Sequence, residues 1–412
     1  MAACCAGALA AFGEEPAPTA VETKPVTAGY AGLPDGYAIV AYLDCGAEQA
    51  ARAGDGLEVR QVSGAPRTFP GVNGPLGTAA SDDRQVEFAI DGLKNEAEYV
   101  LGFTWWDVDG ASRVESVRFG SGEPVEWTAV VPPVVAAAFD GDEPTWARVL
   151  LPLPHSVRPD GRLRVAFANE GGPNAVVNEL WVLERTKAAA RKRVLVVTGD
   201  DYGGHRWRET GPELAAILRE DPRLEVSISE SPGVLGSPLL AHYDAVVVHF
   251  KNYPERLPLG AAIGTGLERY VVSGKGLVLV HFGCGAFQEW DAFVNVAGRV
   301  WNPEKRGHDP HGAFNVSVKD AAHPVTRGMD DFAAVDEMYT CLDGAPPIHP
   351  LCSAVSTVDG KEYAVAFTVD SAKGPVFHCT LGHDVRAFQC EGTRELYRRA
   401  AAWAAGLDPD GR

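Results

Sequence analysis

Histidine is the side chain best suited to proton transfer and to metal ligation near neutral pH, and its placement along this chain is uneven. Of 11 histidines, only His155 precedes Arg193. Several of the others follow directly on apolar runs that read as strands. His205 lies in GDDYGGHRW just after RVLVVTG, His249 ends YDAVVVHF, His281 ends GLVLVHF, and His383 follows GPVFHCTLG. Glu337, in VDEMYT, is a candidate carboxylate partner, and His308 and His311 are spaced i, i+3 in NPEKRGHDPHGAF. Such a set suits two chemistries. In the first, His281 and His383 act as acid and base, Glu337 orients one of them or is itself a base, and His205 polarises a carbonyl. In the second, a divalent ion such as zinc is held by His205, His281 and His383, or by the pair His308 and His311, in an open site. No HExxH is present and the spacings do not decide, so both readings stay open. For any one of these residues the plainer alternative is a hydrogen-bonded structural imidazole. His242 and His378 are given to that alternative, and His323, before a proline, to a turn.

The stretch GLVLVHFGCGAF also carries a thiol, Cys284, three residues beyond its strand-final histidine. A nucleophilic thiol needs exposure and an oriented base; without evidence of either, a glycine-flanked cysteine reads as a core residue. The chain has 8 cysteines but no CxxC, which gives little support to cysteine metal ligation. In a chain of this length they read as mostly buried thiols rather than a disulfide framework. A net charge of -18 argues against a nucleic-acid partner, which would need clustered Lys and Arg. Neutral small molecules, sugars among them, remain open as partners, as does self-association into a homo-oligomer.

At 412 residues the chain is long enough for two domains. Residues 1–36, beginning MAACCAGALAAF, resemble the end of a secretory signal lacking its charged region, or else a disordered tail. The first case implies a periplasmic or extracellular protein, the second leaves a cytoplasmic one. No stretch is apolar for long enough to cross a membrane as a helix. Residues 37–185 alternate short apolar runs with turn signals such as DG, SGAP and PDG, and no amphipathic helix interrupts them. That pattern predicts an antiparallel β-sandwich. A charged linker over 186–192 then leads to a different grammar in 193–412. RVLVVTG, LEVSIS, YDAVVVHF and GLVLVHF are continuous runs of the kind found in strands buried on both faces. PELAAILRED, PLGAAIGTGLERYVVSG, QEWDAFVNVAG and TRELYRRAAAWAAGL supply the helices, predicting a doubly wound parallel sheet. Ligands of such a sheet sit at the C-terminal ends of its strands, where the histidines cluster.

Taken in order, RVLVVTG…GGHRW, GKGLVLVHFGCGAFQEWDAF, HPVTRGMDDF, VDEMYT and GPVFHCTLGHD before a helix ending WAAGL resemble the trehalose-utilisation, or ThuA-like, family over about residues 193–407. The resemblance implies a flavodoxin-like fold akin to class I glutamine amidotransferases but without their catalytic triad, His281 standing at the elbow where their cysteine would be. It singles out His205, His281, Glu337 and His383, with Trp290 and Asp384 as neighbours and substrate contacts, alongside the strand-end His249. It further implies a carbohydrate substrate, a keto-sugar or oxidised disaccharide, isomerised or cleaved. A non-catalytic sugar-binding scaffold and a Cys284-dependent hydrolase are the alternatives. More loosely, the first half is similar to malectin-like and galactose-binding-like modules through YLDCG, TWWDVDGASR and RLRVAFANEGG…VNELWVLE. On that likeness, one of Trp105 and Trp106 would stack on a sugar while Asp107, Asp109 and Arg113 bind hydroxyls. Structural support for the second domain is the competing expectation.

Overall fold

Period-two burial along short strands builds the first half of the molecule. In the computed structural model, described over residues 30, 32–46, 56–70, 74–107, 109–135, 139–140, 143–144, 146–186, 191–253, 260–370 and 373–411, two antiparallel sheets face each other. One has four strands in the order Tyr37–Asp44, Glu179–Arg185, Tyr99–Trp105, Ala147–Leu153. The other has five, in the order Glu58–Ser63, Gln85–Asp91, Arg162–Gly171, Val114–Ser121, Glu126–Val135. Alternate residues such as Val86, Phe88 and Ile90 meet Leu101, Phe103 and Leu151 of the facing sheet in one core. Phe103 and Phe167 pack edge to face across it, centroids 4.9 Å apart. The signal-like segment, with Cys4 and Cys5, and most of the linker lie outside the described residues.

The second half is a single sheet of nine strands. Leu224–Ser229, Lys192–Val197, Ala245–Val248, Gly276–Val280 and Val376–Cys379 run parallel in that spatial order. Four further strands, Glu362–Val369, Ile348–Val355, Gly312–Val318 and Phe332–Asp336, extend it antiparallel. The doubly wound parallel sheet is present as expected, with an antiparallel extension added at one edge. The reason lies in residues 348–369, which have no crossover helix between their two strands and can only pair as a hairpin.

The β-branched runs are buried on both faces, as their composition requires. Val194 and Val196 enter a core with Leu214 and Ile217 of the helix Trp207–Arg219 and with Leu396 and Tyr397 of the helix Glu391–Ala404. Leu195 and Val197, pointing the other way, join Ile263 and Leu267 of the helix Ala261–Val272. That second core runs without a break into the sandwich, so the two halves are packed together rather than strung apart. Polar contacts pin the seam: Glu230 N–H donates to the Arg148 carbonyl (2.8 Å), and Arg148 N–H donates to the Glu230 carboxylate (2.9 Å). The Arg208 guanidinium lies 4.5 Å over the Trp146 ring. No helix among the described residues is long and apolar enough to cross a membrane.

Candidate functional site

Four of the histidine and carboxylate candidates converge where the parallel strands end. One ligand-type atom from each of His205, His281, Glu337 and His383 lies within 4.8 Å of the others. Each arrives on a different element. His205 follows the strand Lys192–Val197 and precedes the helix beginning at Trp207. His281 directly follows the strand Gly276–Val280 and opens the 3-10 turn His281–Gly285. It adopts φ +46°, a left-handed backbone conformation that a side chain with a Cβ rarely takes. This strained elbow turns the imidazole out of the sheet.

Glu337 and His383 are brought in by a neighbouring carboxylate. Asp336, fully buried, accepts the N–H groups of Glu337 (2.7 Å), Gly382 (2.6 Å) and His383 (3.2 Å). It thereby staples the end of an antiparallel strand to the loop after Val376–Cys379. Burial pushes the Asp336 carboxyl up to about 7, against the pull of those N–H groups.

Second partners set the tautomers. His205 Nδ1 donates to Asp201 Oδ1 at 3.0 Å, leaving Nε2 as a lone pair that is buried and without a partner. His281 Nδ1 donates to the Thr380 carbonyl at 2.7 Å, so its Nε2 accepts from the Tyr339 hydroxyl at 3.1 Å. Burial, reinforced by His383, holds the His205 imidazole down to about 3. Burial, with His205 beside it, holds His281 well below its ordinary value. Both are therefore neutral at physiological pH: weak bases and poor acids, but in the form a metal ion takes.

The other pair behaves differently. His383 Nδ1 stands 3.3 Å from Glu337 Oε2, an ion-pair contact lying off the line of a hydrogen bond. The Glu337 carboxylate raises His383 against the effect of burial. Burial in turn favours a protonated Glu337, but His383 and His308 outweigh it and hold the carboxyl below its usual range. His308 Nε2 lies 3.6 Å from the same Glu337 oxygen, with its Nδ1 donating to the Asp309 carbonyl at 2.8 Å.

The remaining candidates lie elsewhere. His249 is enclosed between the hydroxyls of Thr198 (3.1 Å) and Thr210 (3.2 Å), both ring nitrogens occupied, and burial holds it down to about 3. Trp290 packs against Gly264 and the shared core, outside the histidine group. Asp384 caps the helix Val385–Gln389 through the N–H groups of Arg386 and Ala387. It also stands 3.5 Å from His311 Nε2, which keeps His311 at the rim.

In the sandwich, the expectation that one tryptophan of the pair faces solvent is corrected: Trp105 and Trp106 are 1% and 2% exposed. Asp107 is buried too, ion-paired with Arg113, which also holds Asp109 and donates to Asn174 at 2.8 Å. Buried Asp107 and Arg113 thus satisfy one another, while Asp109 stays exposed and pairs with Arg67 as well (2.8 Å).

Cys284 is fully buried among Phe282, Tyr339 and Trp301, and burial pushes its thiol up to about 12. A thiolate nucleophile is not available there, so the Cys284 hydrolase alternative fails on geometry. The folded wild-type protein is expected to leave this thiol unalkylated by iodoacetamide, while denatured protein is alkylated there. Peptide mapping that found rapid alkylation of Cys284 would reverse that conclusion.

Sequence reasoning missed Asp201, Asp336 and Tyr339. A signal existed for two of them. Asp201 shares the post-strand loop with His205, and Tyr339 stands two residues after Glu337 in an extended segment, where i and i+2 share a side. Nothing local marked Asp336.

A doubly wound sheet with polar groups gathered at its strand ends defines a ligand-handling α/β protein, here preceded by a β-sandwich. The trehalose utilisation (ThuA) family model matches residues 193–404, just over half of the chain, and the chain belongs to that family. Among solved structures it is similar to a ThuA-like protein from Parabacteroides merdae (25% identity, 53% of this chain and 91% of that one, TM-score 0.47). It is also similar to a ThuA-like protein from Bacteroides uniformis (17% identity, 54% and 96%, TM-score 0.43). A third similar structure is a glutamine amidotransferase from Thermotoga maritima (12% identity, 53% and 99%, TM-score 0.35). No curated protein matches the chain. Family membership gives the protein a carbohydrate-related role.

Proposed function

We propose that this protein is an enzyme that rearranges or cleaves an oxidised sugar, with a divalent ion such as zinc held by His205, His281 and His383 and with Glu337 as the base. The observation that carries the reading is the buried, unpartnered Nε2 of His205 inside a ring of three imidazoles and a carboxylate. Zinc–nitrogen bonds of about 2.0–2.1 Å in tetrahedral geometry place ligand atoms about 3.4 Å apart. With the four ligand atoms within 4.8 Å of one another, side-chain movements of up to about 1.4 Å at the longest pair close the set on an ion. His205 and His281, each neutral and oriented by a hydrogen bond that its Nδ1 donates, to Asp201 and to Thr380, are in the form such an ion takes.

When bound, the ion supplies a Lewis acid for a sugar carbonyl oxygen. The chain's own residues do the rest. A ketone acidifies the neighbouring C–H, and Glu337 Oε2 is the basic oxygen beside the imidazoles. His308 Nε2 lies 3.6 Å from that oxygen, and because His308 Nδ1 carries the hydrogen donated to the Asp309 carbonyl, a proton taken by Glu337 can pass to Nε2. Return of the proton at the adjacent carbon isomerises the sugar, and departure of a glycosidic oxygen from the carbanion completes an elimination. On this reading residues 193–412 form the catalytic unit and 37–185 a supporting sandwich.

The test is metal content. Wild-type protein loaded with zinc and then dialysed is expected to retain about one equivalent by elemental analysis. His205→Ala, with an unchanged circular dichroism spectrum, is expected to bind zinc more weakly by over the ~100-fold that loss of an outer-shell partner produces. Equal zinc in both proteins, or none in either, overturns the metal site.

A further inference from the structure

We propose that Tyr202 is the platform on which the sugar ring of the substrate stacks, an inference that rests on the carbohydrate reading above. Among the described residues Tyr202 is the only phenylalanine, tyrosine or tryptophan that is exposed, at 42%. A tyrosine left facing water forgoes the burial that usually stabilises so large a ring. Here it does so at the mouth of the candidate site.

The ring is nonetheless held in place. It meets His205 edge to face with centroids 4.5 Å apart, and Phe282 likewise at 6.1 Å. Gly204 lets the chain fold back beneath it: a Cβ there would come within 2.3–2.5 Å of the tyrosine ring and hydroxyl. Any other residue at 204 would have to displace the ring. From Tyr202 the aromatic contacts continue inward through buried Phe282 to half-buried Trp301, whose ring stands 5.2 Å from Phe282 at 85°. Tyr202 thus stands at the rim, its exposed ring beside the His205 imidazole. On the inner side, the cavity against His205, His249 and His281 is ≈ 10 Å³, room for about one water. A sugar therefore approaches from the rim.

A pyranose has an apolar C–H face and a polar edge of hydroxyl groups. Its C–H face fits the electron-rich face of an aromatic ring, while its edge is left free for polar partners. A ring seated on Tyr202 brings that edge to His205 and its neighbours. With Trp105 and Trp106 buried, the stacking surface expected in the sandwich is found in the α/β half instead.

The experiment uses the full-length chain, with and without zinc, and reads binding by saturation-transfer NMR and competition titration. The probes are trehalose, its keto derivative and methyl α-D-glucopyranoside. Wild type is expected to bind at least one of them, Tyr202→Phe within about twofold of wild type, and Tyr202→Ala at least about tenfold more weakly. Zinc content should be the same in all three. The proposal is overturned if Tyr202→Ala binds as tightly as wild type, if Tyr202→Phe is as weak as Tyr202→Ala, if no probe binds wild type, or if Tyr202→Ala loses zinc. A chain that binds sugar through Tyr202 but takes up no metal leaves the platform standing and removes the metal site alone.

Discussion

A Glu337→Gln chain is expected to keep its zinc and lose its proton transfer. Glutamine fills the same space beside His383 and His308 but offers no basic oxygen, so the side chain stays in place while its chemistry disappears. General-base contributions of this kind are about 10²–10⁴-fold. The measurement is exchange of the C–H beside the ketone of a keto-sugar with deuterated solvent, followed by proton NMR, with zinc determined on the same samples. Exchange slowed by that factor at undiminished zinc places Glu337 as base. Zinc lost together with exchange would move Glu337 into the ligand shell, and exchange at the wild-type rate would remove it from the mechanism. The contrast with His205→Ala, which is expected to lose the metal itself, separates ligand from base among side chains only a few ångströms apart.

The second large effect is on stability and lies in the sandwich. Glu115, fully buried on the strand Val114–Ser121, accepts one N–H, from Val176 at 3.1 Å, and its other oxygen has no partner. Burial pushes its carboxyl up to about 8, an effect that Asp107 adds to and that the Val176 N–H and Arg113 reduce. Between the ordinary glutamate value of 4.5 and about 8 the folded chain holds a proton that the unfolded chain has released. The folded state then binds more protons, so stability falls as pH rises through this window. At about 1.4 kcal/mol per pH unit, the loss is on the order of 4–5 kcal/mol, complete above about pH 8. Glu115→Gln, which carries no charge to bury, is expected to melt with wild type near pH 4.5. Near pH 8.5 it should melt about 10–20 °C higher, from about 2–4 °C per kcal/mol for a domain of this size. Parallel melting curves for the two proteins across that range would show that Glu115 is not the buried acid inferred here.

Much of the architecture was legible because local patterns mirror burial. Val86, Phe88 and Ile90 alternate with Gln85, Glu87, Ala89 and Asp91 and form one wall of the sandwich core. The run Arg193–Val197 has no such alternation, and its residues are divided between two cores, one on each face of the sheet. The antiparallel extension was harder to foresee. Residues 348–369 look as apolar as a parallel strand, and only the short polar turn between two such runs makes them a hairpin. The two tryptophans of TWWDVDG were misjudged for a different reason. Strand alternation exposes every second residue only where one face is free, and the four-stranded sheet has apolar clusters on both of its faces.

The candidate site divides along the same line. Placing His205, His281 and His383 at strand ends needs only the alternation of strands and helices, because a parallel sheet sends all its strand ends to one edge. Their residue types and approximate location were therefore written in the chain. What distinguished His205 from His249, which also follows a strand, was packing: Thr198 and Thr210 occupy both nitrogens of His249, whereas His205 keeps one free. Glu337 shows the limit most clearly. Its strand is the outermost of the antiparallel extension, several strands from the parallel ones in hydrogen-bonding order. It reaches the histidines only because buried Asp336 collects backbone N–H groups from both segments. Periodicity reports which residues share a face. Which distant segments meet depends on long-range hydrogen bonds and close packing, and those exist only once the chain has folded.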